Sequence, residues 1–110
     1  MDEQNTVLNG QHTFDHGNGI VEICNYVNDK LEGKYSRYVN EILTETTYYS
    51  GNKLNGIRVT YCHGNMVFKS NYVNGLEHGD TYFYNSDGFV RRHMKYDNGK
   101  ITYDSNDGTQ

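Results

Sequence analysis

Apolar and polar residues alternate in short bursts along this chain. No apolar run exceeds three residues, the longest being Met66-Val67-Phe68 and Tyr82-Phe83-Tyr84. Ile57-Arg58-Val59-Thr60-Tyr61 alternates strictly, which is the period of a strand with one face buried. His63-Gly64-Asn65 follows as turn chemistry, and Met66 to Tyr72 returns as a second strand. The same plan recurs downstream: Thr81 to Tyr84, a turn at Asn85-Ser86-Asp87-Gly88, then Phe89 to Tyr96. Each such stretch predicts one β-hairpin.

The pattern is periodic. Tyr26-Val27-Asn28 recurs as Tyr72-Val73-Asn74, and Leu8-Asn9-Gly10 as Leu54-Asn55-Gly56, both 46 positions on. Half that period appears in three registers. Gly10, Gly33, Gly56 and Gly79 are 23 apart, as are Tyr38, Tyr61 and Tyr84; Tyr26, Tyr49, Tyr72 and Tyr96 follow at 23, 23 and 24. The chain therefore divides into units 3–25, 26–48, 49–71 and 72–95, with a partial unit 96–110, in one array spanning 1–110.

A lone hairpin is marginal in water, so the hairpins must stack edge to edge. The expected fold is all-β, an elongated single-layer antiparallel meander of about 23 residues per hairpin, with eight or nine strands in sequential order. Residues one repeat apart then lie two strands apart, about 9.5 Å. Tyr38, Tyr61 and Tyr84 should form one row, and Tyr26, Tyr49, Tyr72 and Tyr96 another. Rings at that distance need an intervening side chain, for which Leu31, Leu54, Val67, Phe68 and Val90 are candidates. Gly10, Gly33, Gly56 and Gly79 are expected at turns or close backbone approaches, where positive φ is tolerated.

Composition supports this reading. Ala and Pro are absent, while Gly reaches 12, Tyr 11 and Asn 14 among 110 residues, which favours strands and turns over helices. The formal net charge of −4 argues against nucleic acid and against an anionic membrane surface. The one dense basic stretch, Arg91-Arg92-His93-Met94-Lys95, reads as the solvated side of a strand. The acidic N-terminus carries no signal-peptide pattern, and no stretch approaches the ~20 apolar residues of a membrane span. Cys24 and Cys62 fit no zinc spacing and read as free thiols of a reducing compartment, so the expected location is cytoplasmic, or viral within an infected cell.

These residues resemble the MORN repeat, in the variant form found in tandem in YwqK-like bacterial proteins and in large-DNA-virus proteins. The resemblance rests on Leu54-Asn55-Gly56 through Tyr61, His63-Gly64-Asn65, Tyr72-Val73-Asn74-Gly75, His78-Gly79, Tyr82-Phe83-Tyr84, Ser86-Asp87-Gly88 and Tyr96-Asp97-Asn98-Gly99. The second unit departs from the pattern, with Asn40-Glu41 in place of a hairpin Gly, and the first has Phe14-Asp15 where Tyr is expected. The resemblance implies stacked hairpins, a protein- or membrane-contacting role and no catalytic residue. The AT-rich codons of Asn, Tyr, Ile and Lys fit a giant virus or a low-GC bacterium.

Other chemistry finds little footing. His12, His16, His63, His78 and His93 lack zinc-ligand spacing. Cys62 and His63 are adjacent, so on a strand their side chains diverge. Asp104-Ser105-Asn106-Asp107-Gly108 has its Gly one place early for a calcium loop and no closing Glu. The expectation is a non-catalytic module with no cofactor, metal, nucleic acid or small-molecule substrate. It binds another protein, or a second copy of itself, through Tyr38, Tyr61 and Tyr84. The alternative is a YwqK-like antitoxin that neutralises a toxin protein, which rests on family analogy alone.

Overall fold

The computed structural model describes residues 7–106; the first positions of the first unit and the end of the partial fifth unit lie outside the described residues. All of the regular structure described is strand, in one open antiparallel sheet. The strands are β1 (Gly10–Asp15), β2 (Ile20–Val27), β3 (Lys30–Leu31), β4 (Gly33–Val39), β5 (Ile42–Ser50), β6 (Lys53–Cys62), β7 (Asn65–Val73), β8 (Leu76–Glu77), β9 (Gly79–Tyr84), β10 (Val90–Asp97) and β11 (Lys100–Asp104). The sheet order is β1-β2-β4-β5-β6-β7-β9-β10-β11, the sequential meander expected from the period. The short β3 and β8 lead into β4 and β9 and pair with the same neighbours, β2 and β7. Real strands extend beyond the alternating segments: β6 begins at Lys53 and not at Ile57, while Phe89 belongs to the loop before β10.

Tight turns join the strands. Asn28-Asp29, Asn40-Glu41, Gly51-Asn52, His63-Gly64, Asn74-Gly75 and Asn98-Gly99 each place both residues at positive φ, the backbone that matches strand twist in a two-residue hairpin. The Asn40-Glu41 turn is as tight as the others although it lacks Gly. Glu41 holds φ +68 there, a conformation that costs a side-chain-bearing residue about 1–2 kcal/mol.

At one end of the strands, every turn is fastened to the unit before it. The second turn residue donates its N–H to a carbonyl one repeat earlier: Asp29 to Leu8 (2.9 Å), Asn52 to Leu31 (3.0 Å), Gly75 to Leu54 (2.8 Å) and Gly99 to Glu77 (2.8 Å). The first turn residue donates to the side chain just before each repeat glycine. Asn28 reaches Asn9 Oδ1 (2.9 Å), Gly51 reaches Glu32 Oε1 (2.9 Å), Asn74 reaches Asn55 Oδ1 (3.0 Å) and Asn98 reaches His78 Nδ1 (3.3 Å). Three different side-chain types serve one position because the site asks only for an acceptor.

The repeat glycines and one tyrosine register turn out to be partners. Gly10, Gly33, Gly56 and Gly79 stand directly opposite Tyr26, Tyr49, Tyr72 and Tyr96. Gly33, Gly56 and Gly79 sit not in the hairpin turns but where the ladder slips. Leu54 pairs with Tyr49 and Arg58 with Thr47, so two additional residues, including Gly56, are accommodated between these pairs. Gly56 takes φ +117, and an added Cβ would lie 3.2 Å from Cβ of Tyr48. Gly79 takes φ +94 with more room around it.

Two predictions follow from backbone geometry. Gly56→Val and Gly79→Val should each cost more than the ~1 kcal/mol of an ordinary propensity change, with Gly56 the larger because contact adds to strain. Unchanged thermal midpoints in both variants would contradict this. Conversely, Glu41→Gly should stabilise the protein by about 1 kcal/mol by relieving the turn, read as a raised denaturant midpoint; no gain would mean that the turn carries no strain.

Candidate protein-binding face

Residues directly opposite on antiparallel strands share a face, and neighbours along a strand alternate. The register therefore sorts the side chains. One unbroken cross-strand row runs Phe14, Glu22, Arg37, Glu45, Thr60, Phe68, Phe83, Arg92. Tyr26, Tyr49, Tyr72 and Tyr96 lie on that face. A row on the other face runs Thr13, Ile23, Ser36, Thr46, Val59, Lys69, Tyr82, His93, and Tyr38, Tyr61 and Tyr84 belong there. The two tyrosine registers are thus on opposite sides of the sheet.

Apart from Phe14 and Ile101 on the outermost strands β1 and β11, the first face covers itself. Its middle carries short side chains, of which Thr47 and Ser70 are 1% exposed and Thr81 2%, with Cys24 and Met94 also buried. Longer neighbours form a self-contained network over this stripe. Arg58, opposite both Thr47 and Ser70, pairs with Glu45 at 3.3 Å, and Thr47 Oγ1 donates to Glu45 at 2.5 Å. Arg92 holds Asp104 through two bonds of 3.1 and 2.6 Å. Tyr35 packs edge-on against Tyr49 and donates its hydroxyl to Glu22. That bond, ahead of the contribution from His16, outweighs burial and holds the Glu22 carboxyl below its ordinary range. Its stabilisation is present at neutral pH and is lost as pH falls through the lowered value.

The second face buries Ser36 and Val59 but leaves many of its apolar side chains open. Val27, Tyr48, Ile57, Met66, Val73 and Val90 are 37–51% exposed. Tyr38, Tyr61 and Tyr84 are half-buried, each following a strand slip at Arg37/Tyr38, at Thr60/Tyr61 or in the Val90/Arg92 segment opposite Tyr84. Their cross-strand partners are Val21 and Leu43, Met66, and Val90. Of the candidate spacers, Val90 serves this row, and Leu31 and Leu54 stand opposite Tyr26 and Tyr49. Phe68 pairs with Phe83 on the covered face, and Val67 falls at a strand slip. Alternation within β9 and β10 also brings Tyr82, Tyr84 and His93 onto the open face. Tyr82 stacks on His93 (4.6 Å between centroids), which pairs with Asp80 at 2.8 Å. Tyr82 belongs to no repeated tyrosine register, so periodicity alone missed it.

The remaining residues of chemical interest are dispersed. Cys24 is buried and Cys62 is exposed, both as free thiols. His16 pairs with Glu22 at 2.6 Å, and His63 lies in its turn. Among the described residues no three His, Cys, Asp or Glu side chains converge as a metal site, and no helix is long and apolar enough to cross a membrane. No protein-family model matches the chain, and no curated protein matches it.

One residue breaks the covered face. Leu8, Leu31 and Leu54 are followed at the same period by Glu77, opposite Tyr72. Burial raises the Glu77 carboxyl above its ordinary range against the opposing pull of Thr81, Arg58 and Tyr96. A raised carboxyl favours folding below its unfolded value and loses that advantage as pH rises. Glu77→Leu, which restores the repeat, should therefore stabilise the protein at pH 7 by about 0.5–2 kcal/mol. The advantage should shrink near pH 4, read as converging thermal midpoints. Destabilisation at pH 7 would show that the carboxylate does something leucine cannot.

Proposed function

We propose that this protein is a non-catalytic, MORN-like repeat module that binds another protein, or a second copy of itself, through the face bearing Tyr38, Tyr61 and Tyr84. The observation that carries the reading is the asymmetry of the sheet. One face is closed along its middle by its own tyrosines and ion pairs, while the other leaves more aliphatic and aromatic side chains without a covering layer. A sheet face of this kind is normally buried against a second layer, and here the chain provides none among the described residues. Tyrosine suits an interface anchor, since its ring is apolar and its hydroxyl meets the wet rim.

Tyr61→Ser combined with Tyr84→Ser should weaken association at least tenfold. The ring-dependent part should change little between low and moderate salt, because rings and not charges supply it. Light scattering checks self-association, and quantitative capture of a partner purified from the native host checks hetero-association. A protein that remains monomeric, binds nothing and tolerates the double change would contradict the reading.

A further inference from the structure

At the β1–β4 end of the open face lies a groove of about 840 Å³, against about 310, 260 and 290 Å³ for three other surface hollows. Its walls are largely apolar. Asp15, Val21 and Tyr38 stand opposite one another across three strands and so project from the same face as the tyrosine row. The far side is the Asn40-Glu41 turn. A backbone bond ties the turn to the start of β2, Asn40 donating its N–H to the Gly19 carbonyl at 2.8 Å, and the Asn40 side chain fills the space beside Gly19, its Oδ1 2.1 Å from where a Cβ would lie. Asp15 Oδ1 accepts the Gly17 N–H at 2.9 Å, leaving its second oxygen for another donor.

Its charge is one-sided. Two carboxylates, Asp15 and Glu41, line it, and no lysine, arginine or histidine does. The corresponding hollow two repeats later, beside Tyr84, is smaller and carries only Asp87. An aromatic wall with carboxylates at its rim is complementary to a planar cation, which can lie on the ring while its N–H groups reach the acids.

We propose that this groove receives an arginine side chain of the partner that covers the open face. The inference rests on the reading of that face as a protein-binding surface and adds the partner's chemistry at one end of it. The guanidinium lies against Tyr38, and Asp15 and Glu41 accept its hydrogen bonds. Ring contacts at Tyr61 and Tyr84 then supply the salt-insensitive part of association, and this groove supplies a smaller salt-sensitive part.

The test is a nitrogen-15 NMR titration of the full chain with arginine blocked at both ends, using equally blocked citrulline as the uncharged isostere. Saturable shifts are expected at the amides of Gly17, Gly19, Val21, Asn40 and Glu41. Glu41→Gln and Asp15→Asn should each weaken binding at least fivefold while leaving the rest of the spectrum in place, and citrulline should bind at least fivefold more weakly. Absence of shifts, equal response to citrulline, or indifference to Glu41→Gln would overturn the proposal. The Tyr61→Ser, Tyr84→Ser variant keeps the groove and should still bind arginine. Ring-dependent association without arginine binding therefore sinks the groove alone, and arginine binding without ring-dependent association sinks the ring row alone.

Discussion

A single layer of strands has no second layer to hold its hairpins in register, so hairpin-to-hairpin attachment carries the fold. Ladder hydrogen bonds supply most of it. The turn clamp completes it: an N–H from each of four turns reaches a carbonyl one repeat earlier, at Leu8, Leu31, Leu54 and Glu77. Turn amides at the strand ends would otherwise be left to water. By spending them on the preceding unit, the chain fixes the offset between successive hairpins and with it every row on both faces.

That fixed offset explains the two-sided character of the sheet. Each repeat glycine stands opposite a tyrosine across the ladder, so no side chain is paired with Tyr49 or Tyr72 at that position. Small residues such as Thr47 and Ser70 then occupy the middle of the same face beneath longer neighbours. The covered face is therefore built from side chains reaching along the sheet, not from a second layer. The opposite face buries only Ser36 and Val59 in its middle, while Ile57, Val73 and Tyr48 remain open.

Much of this architecture is legible in the sequence because it is periodic. The 23-residue spacing of Gly10, Gly33, Gly56 and Gly79 implies the meander, and the tyrosine spacing implies rows. What periodicity does not reveal is phase between strands. The pairing of Gly56 with Tyr72 depends on turn length and on where the ladder slips, neither of which a repeat distance specifies. The tight turn at Asn40-Glu41 was hidden because Glu is a poor choice for positive φ, yet the flanking strands impose that conformation. The acidic groove beside Tyr38 was hidden for a related reason, since Asp15 and Glu41 meet only after three strands are laid side by side.

Placement of a rigid open face thus depends on the clamps, and amide hydrogen exchange measures them residue by residue. The amides of Asp29, Asn52, Gly75 and Gly99 should exchange as slowly as ladder amides of the neighbouring strands. The amide of Gly64, in a turn at the opposite end of the strands with no such bond across units, should exchange fast. If the four clamp amides exchange as rapidly as Gly64, the hairpins are not fastened turn to unit and the account of the sheet fails.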